Sequence, residues 1–166
     1  LAREADADAA VYLTGGATAV LLGWRDSTID ADILIVPEHD SLYRALPRLK
    51  EELQLNVEIA SPAHFIPELP GWRERSLLIE RVGRVSFYHY DPYAQALAKI
   101  ERRGDTFVLI DQSTNGTFVT PEGGSAHALH KHSLALSGRG RICFGESFSV
   151  TGVECLDYAI GEGFRR

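Results

Sequence analysis

The sequence predicts an α/β region followed by an all-β region, with the change near Arg103–Gly104. Three observations carry this expectation. Up to Arg103, short apolar strands alternate with segments whose apolar residues recur at helical spacing, the pattern of a mixed sheet clad by helices. From Gly104 onward the chain reads as short alternating strands between glycine-rich turns, with no helical periodicity and no internal repeat. The 166 residues, 45% of them hydrophobic, suffice for one ordinary domain or two small ones.

The elements follow in chain order. "VYLTGG" reads as a strand entering a glycine turn, and "GATAVLLGW" as a helix. "STIDADILIV" alternates and then runs apolar, as a strand does when both faces become buried. "DSLYRALPRLKEEL" is an amphipathic helix with Asp40 as its N-cap and a candidate kink at Pro47. "LNVEIA" alternates as a strand; "SPAHFIPELPGW", with three prolines and a glycine, is loop or short turns. "RSLLIERVGRVSFYHY" is a hairpin around Gly83. "DPYAQALAKIERR" is a helix with Asp91 as N-cap and Pro92 in its first position.

Beyond the change, "DTFVLID", "GTFVT", "HSLALS" and "GRICFG" are strands, and "SFSVTGV" is a further candidate. "STNGT" carries the Asn-Gly signal of a hairpin turn. The expected divisions are thus 1–103, 104–153 and a tail over 154–166.

Composition narrows the function classes. Charged residues make up 24%, near the globular norm. The net charge of −6 gives no global attraction for nucleic acid or anionic membrane, although a local basic patch could bind either. No apolar run is long enough for a membrane helix, no signal-peptide pattern is present, and a cytoplasmic location is expected. Cys143 and Cys155 lie outside C-x-x-C spacing and are expected to be reduced and structural. The chain has no methionine, even at position 1, which predicts a fragment of a longer product.

The stretch from Thr14 to Ile33 carries the first candidate chemistry. Gly15 and Gly16 leave backbone N–H groups at the start of a helix, where they can cradle phosphate. Asp30 and Asp32 lie two apart on a strand, so their carboxylates share a face. Mg²⁺ takes hard oxygen ligands, and two carboxylates plus a triphosphate suffice. Glu58 completes a triad if its strand neighbours the first. Taken singly, a glycine pair is also an ordinary turn, and a D-x-D is also a solvated strand edge. Arg73, Arg75, Arg81 and Arg84 are either a basic patch for an RNA acceptor or solvent-facing charges.

The ordered set Gly15, Gly16, Ala19, Gly23, Thr28, Asp30 and Asp32 resembles the nucleotidyltransferase superfold, and more closely the small bacterial nucleotidyltransferases of toxin–antitoxin systems, the abortive-infection-type toxins. Arg25 stands three before Thr28, where the family pattern has its arginine two before. The resemblance runs from about Tyr12 to Arg102. It implies Mg²⁺-dependent transfer of a nucleoside monophosphate from an NTP to an acceptor hydroxyl on RNA or protein, with an antitoxin as a further partner. It assigns Gly15, Gly16 and Thr28 to the nucleotide and Asp30 and Asp32 to the metal. Glu58 becomes third ligand or base, and Lys99 a phosphate-pairing lysine on a helix.

The second region, about Asp105 to Val150, resembles the C-terminal half of a forkhead-associated domain of the kind found beside class III adenylate cyclases. The matches are Asp111, Ser113, Asn115, Gly116, Thr117, Phe118 and Val119, then Gly140, Ile142, Phe144 and Gly145. The loops that carry such a domain's phosphothreonine pocket are replaced by the first region, so a phosphothreonine peptide is not an expected partner. Asn115 alone remains of the peptide-contacting residues, and an Asn-Gly turn requires it anyway. Half a sandwich also needs cover for its apolar face, from the first region or from a second copy, failing which it is poorly ordered. His127, His130 and His132 read as a polar loop rather than a Zn²⁺ site.

Neither resemblance is complete, and the sequence reads as a hybrid joined at "ERRGD". The expected function is nucleotidyl transfer, impaired where the family's C-terminal supporting residues are missing. The alternative is a non-enzymatic interaction or cyclase-associated regulatory module.

Overall fold

The computed structural model describes residues 1–23, 26–112, 116–144 and 155–161. Arg25, Ser113, Asn115, Gly145 and the strand expected over 147–153 lie outside them. The chain divides into two compact units, Leu1–Gln95 and Ala96–Arg166. No helix among the described residues is long and apolar enough to cross a membrane.

The first unit is a mixed five-stranded sheet with helices. Its strands are β1 (Ala9–Thr14), β2 (Asp30–Val36), β3 (Asn56–Ile59), β4 (Leu77–Val82) and β5 (Val85–His89), in the order β3-β2-β1-β5-β4. β2 runs antiparallel to β1 and parallel to β3; β5 runs parallel to β1 and antiparallel to β4. The β4–β5 hairpin turns at Gly83, whose φ of +60° suits glycine.

Period-two alternation decides which side chain meets which layer. On one face Val11, Ile33, Ile35, Val57 and Val85 pack with Ala17 of α1 (Gly15–Leu21) and with Leu42 and Leu46 of α2 (Asp40–Leu53). Leu42 is fully buried, worth about 1.5–3 kcal/mol. α2 begins at Asp40 itself; His39 holds the cap position and its side chain makes no capping bond. Pro47 lies inside α2 and withholds one helical N–H.

The opposite face is aromatic. Tyr12, Trp72, Tyr90 and Ala94 form its core, with Trp72 stacked on Tyr90 at 4.6 Å between ring centroids. The proline-rich stretch supplies a 3-10 turn at Pro62–His64 and the short α3 (Trp72–Arg75), which delivers Trp72 to this core. α4 (Pro92–Leu97) starts as the sequence predicts, with Asp91 Oδ1 accepting the Tyr93 N–H at 3.1 Å. It stops six residues later, however. Ile100–Arg103, read as the end of this helix, is instead strand β6 in the second unit. The break between units accordingly falls before Ala96, because β6 pairs with the strand that follows it.

The second unit contains two antiparallel sheets. One has the order β10-β7-β6, with β7 at Thr106–Ile110 and β10 at Ser133–Leu136. The other has the order β12-β11-β8-β9, formed by β8 (Thr117–Pro121), β9 (His127–Leu129), β11 (Arg139–Phe144) and β12 (Cys155–Ala159). Leu109 and Leu136 of the first sheet pack with Val119, Leu129 and Ile142 of the second. The cover that half a sandwich lacks is therefore internal: each sheet closes the other.

The Asn-Gly turn expected at "STNGT" falls on residues 113–115, outside those described; β7 and β8, which flank it, belong to different sheets and pair with β6 and β10, and with β9 and β11, respectively. One expectation is corrected here. The cysteines are not reduced: Cys143 and Cys155 form a disulfide. β12, in the stretch read as a tail, runs antiparallel to β11 and sets the two residues opposite each other with their Cα atoms 4.3 Å apart.

Candidate functional site

The acidic residues gather at one end of the first unit's sheet. β1 ends at Thr14, which faces Asp32 across the antiparallel ladder. Asp32 in turn faces Glu58 on the parallel neighbour β3, and Asp30 faces Asn56. Ala31 and Val57 point into the core, so Asp30, Asp32, Asn56 and Glu58 share the other face. The three carboxylates singled out in the sequence thus lie on adjacent strands in register.

The surroundings are polar and specific. The Asn56 side-chain amide donates to Glu58 Oε1 at 2.8 Å and to Asp30 Oδ1 at 3.2 Å. Lys50 Nζ approaches Asn56 Oδ1 at 3.5 Å. The Thr28 hydroxyl donates to the Asp30 carbonyl at 2.9 Å and accepts the Asp30 N–H at 3.2 Å, which pins the start of β2.

Gly15 sits directly beside the triad. Its φ is +58°, and a Cβ there would lie 3.2 Å from Asp32 Oδ2. Glycine is therefore required both by the turn and by the approach of the carboxylate. The Gly15 N–H donates to Gln95 Oε1 at 2.9 Å, and Gln95 Nε2 donates to the Tyr90 carbonyl at 2.8 Å. Gly16 follows in the first turn of α1. The sequence reading missed both Asn56 and Gln95. Asn56 could have been found from its i, i+2 relation to Glu58; Gln95, 80 residues from Gly15, had no local signal.

Burial first, then the carboxylates of Glu58 and Asp30, push the Asp32 carboxyl above its ordinary value of 3.8. A raised folded-state pKa adds stability that is complete below the unfolded value and is lost as pH rises through the folded one. Ionised Asp32 therefore opposes folding at neutral pH. In EDTA at pH 7, Asp32→Asn is expected to melt no lower than the parent, and the difference should close as pH falls towards 4. A lower melting temperature for the variant at pH 7 would contradict this reading of the cluster.

The remaining candidates have other partners. Lys99, read as a phosphate-pairing lysine on a helix, lies after the end of α4 in the second unit. Its ammonium sits 3.0 Å from Asp111 Oδ1 and 3.4 Å from Thr117 Oγ1. Each of the four arginines has a contact of its own. Arg75 Nη2 and Nε bond the buried Asp91 at 2.6 and 3.1 Å, and Arg73 lies over the Trp72 ring. Arg81 lies 3.7 Å from Asp8, and Arg84 donates to the Asp6 carbonyl. His127, His130 and His132 are exposed, as expected of a polar loop, although His127 begins β9. Among the described residues, no three His, Cys, Asp or Glu side chains converge closely enough to hold an ion as they stand.

No family model, no curated protein and no solved structure matches the chain.

Proposed function

We propose that the first unit is a Mg²⁺-dependent nucleotidyltransferase that moves a nucleoside monophosphate from an NTP to an acceptor hydroxyl on RNA or protein. The observation that carries this reading is the placement of Asp30, Asp32 and Glu58 on one face of adjacent strands beside Gly15. The residues fit the ion. All three are hard oxygen donors, and Gly15 leaves open the space a Cβ would fill beside Asp32. Asp30 and Asp32 would hold Mg²⁺, which neutralises charge on the triphosphate and on the departing pyrophosphate.

The chain's own groups supply the remainder. The Gly15 N–H already points at an acceptor oxygen, that of Gln95, and the same amide would receive a phosphate oxygen. Gly16, next in the turn, adds a second backbone donor. Thr28 serves by fixing the Asp30 backbone. Glu58 orients the acceptor hydroxyl and takes its proton as that oxygen bonds to the α-phosphorus; the bond to the bridging oxygen breaks and pyrophosphate leaves. Lys99, to which the resemblance gives a phosphate-pairing role, has its ammonium 3.0 Å from Asp111 within the second unit.

The test is calorimetric titration of the chain with each NTP in the presence of Mg²⁺, beside an Asp30→Asn/Asp32→Asn double variant. Metal-dependent NTP binding that the double variant loses is the expected result. A folded parent that gives no heat with any NTP would overturn the reading. In that event the second unit, closed by its own core and its disulfide, supports the alternative of a non-enzymatic interaction module.

A further inference from the structure

We propose that the Cys143–Cys155 disulfide is a redox latch: its reduction by a dithiol releases β12 from the second unit while the rest of that unit stays folded. β12 is the edge strand of its sheet, paired on one side with β11 and on the other with no strand among the described residues. None of its five residues is buried. Apart from the ladder, it is held by partial packing of Tyr158 on the core and by the exposed Arg141–Asp157 pair at 2.9 Å, which solvent screens. β11, by contrast, lies between two strands and buries Ile142 and Cys143. The disulfide therefore fastens a weakly held edge to a central strand.

The two sulfurs differ in access. Cys143 is fully buried, whereas Cys155 is partly exposed on the edge strand. The thiolate of a dithiol attacks Cys155 Sγ, the bond between the two cysteines breaks, and Cys143 leaves and takes a proton. The second thiol of the reductant then attacks the mixed disulfide. Cys155 leaves as a thiol, and the reductant departs as its own disulfide. Two electrons and two protons pass to the protein.

The bond closes a loop with a sequence separation of 12. Opening a loop of that size raises the local unfolding equilibrium by about 100-fold. The buried core of the second unit, Leu109, Val119, Leu129, Leu136 and Ile142, lies wholly outside β12 and keeps its members when the strand leaves. Release bares the β11 edge for pairing with another strand. It also removes one wall of a cavity of about 640 Å³, to which β12 contributes Asp157, Tyr158 and Ala159 beside Thr120 and Arg139.

The experiment is hydrogen exchange of the full chain as oxidised protein, after reduction with dithiothreitol, and after reoxidation. Iodoacetamide labelling in denaturant, read by mass, counts the free thiols in each state. Expected are no free thiol before reduction and two after it. Exchange over Cys155–Ala159 should rise about 100-fold on reduction and return on reoxidation. Thr106–Ile110 and Thr117–Pro121 should keep their protection within about threefold. A Cys143→Ala/Cys155→Ala variant should behave as the reduced protein does, with or without dithiothreitol. Protection of Cys155–Ala159 that reduction leaves within about threefold overturns the latch. So does loss of protection throughout the second unit, since the bond would then be a staple for the whole of it. Labelling of both cysteines before reduction, or of neither after it, overturns it as well.

Discussion

Asp111→Ala is expected to lower the stability of the second unit by about 3 kcal/mol. Asp111 is 1% exposed and lies just past the end of β7. Its Oδ1 receives Lys99 Nζ at 3.0 Å and the Thr117 hydroxyl at 2.9 Å, while Oδ2 receives the Lys131 N–H at 3.4 Å. Alanine removes the acceptor for all three. Thr117 is fully buried and cannot turn to water, so its hydroxyl bears the desolvation cost. Lys99 is 29% exposed and rehydrates in part, which keeps the estimate at the lower end for a broken buried pair. Lys99→Met removes the cation that faces a buried carboxylate and should cost a comparable amount.

Trp24 and Trp72 both precede Gln95, so the second unit carries no tryptophan of its own to report the change. Hydrogen exchange over Thr106–Ile110 and Thr117–Pro121 reads it directly. Parent-like protection of those strands in Asp111→Ala would show that the network is dispensable.

The second large effect falls in the first unit, at Asp91. This residue is fully buried, and each of its oxygens has a separate task. Oδ1 caps α4 through the Tyr93 N–H, and Oδ2 receives Nε and Nη2 of Arg75. The cap alone contributes about 1 kcal/mol. Arg75 also donates to the Pro70 carbonyl at 3.0 Å, so the ion pair ties down the segment that carries Trp72. For Asp91→Ala a fall in melting temperature of about 10 °C is expected, with the Trp72–Tyr90 stack loosening in step. Asp91→Asn keeps an oxygen for the cap and should lose roughly half as much. Here tryptophan fluorescence is the right probe, and a shift below about 3 °C for the alanine variant would contradict the account.

Much of the first unit was legible because periodicity and burial agree. β1, β2, β3, α2 and the β4–β5 hairpin stand close to their expected positions, since each buries one face and exposes the other. β6 was hidden because Ile100 continues the helical spacing of Ala96 and Leu97. Pairing with β7 overrode that local preference, and the Gly104–Asp105 dipeptide between the strands was the turn signal that went unread.

The candidate site divides along the same line. That Asp30 and Asp32 share a face follows from their spacing. That Glu58 stands opposite Asp32 depends on how two strands separated by α2 align, which spacing within either strand cannot give.

This alignment places an unusual demand on the short link between α2 and β3. Only Gln54 and Leu55 separate Leu53 from Asn56. Surface connections usually accept insertions readily. One extra residue here, however, would exchange Val57 and Glu58 across the sheet, driving a carboxylate into the apolar layer and turning a valine towards Asp32. The link thus works as a ruler, and its length encodes part of the chemistry that the side chains perform.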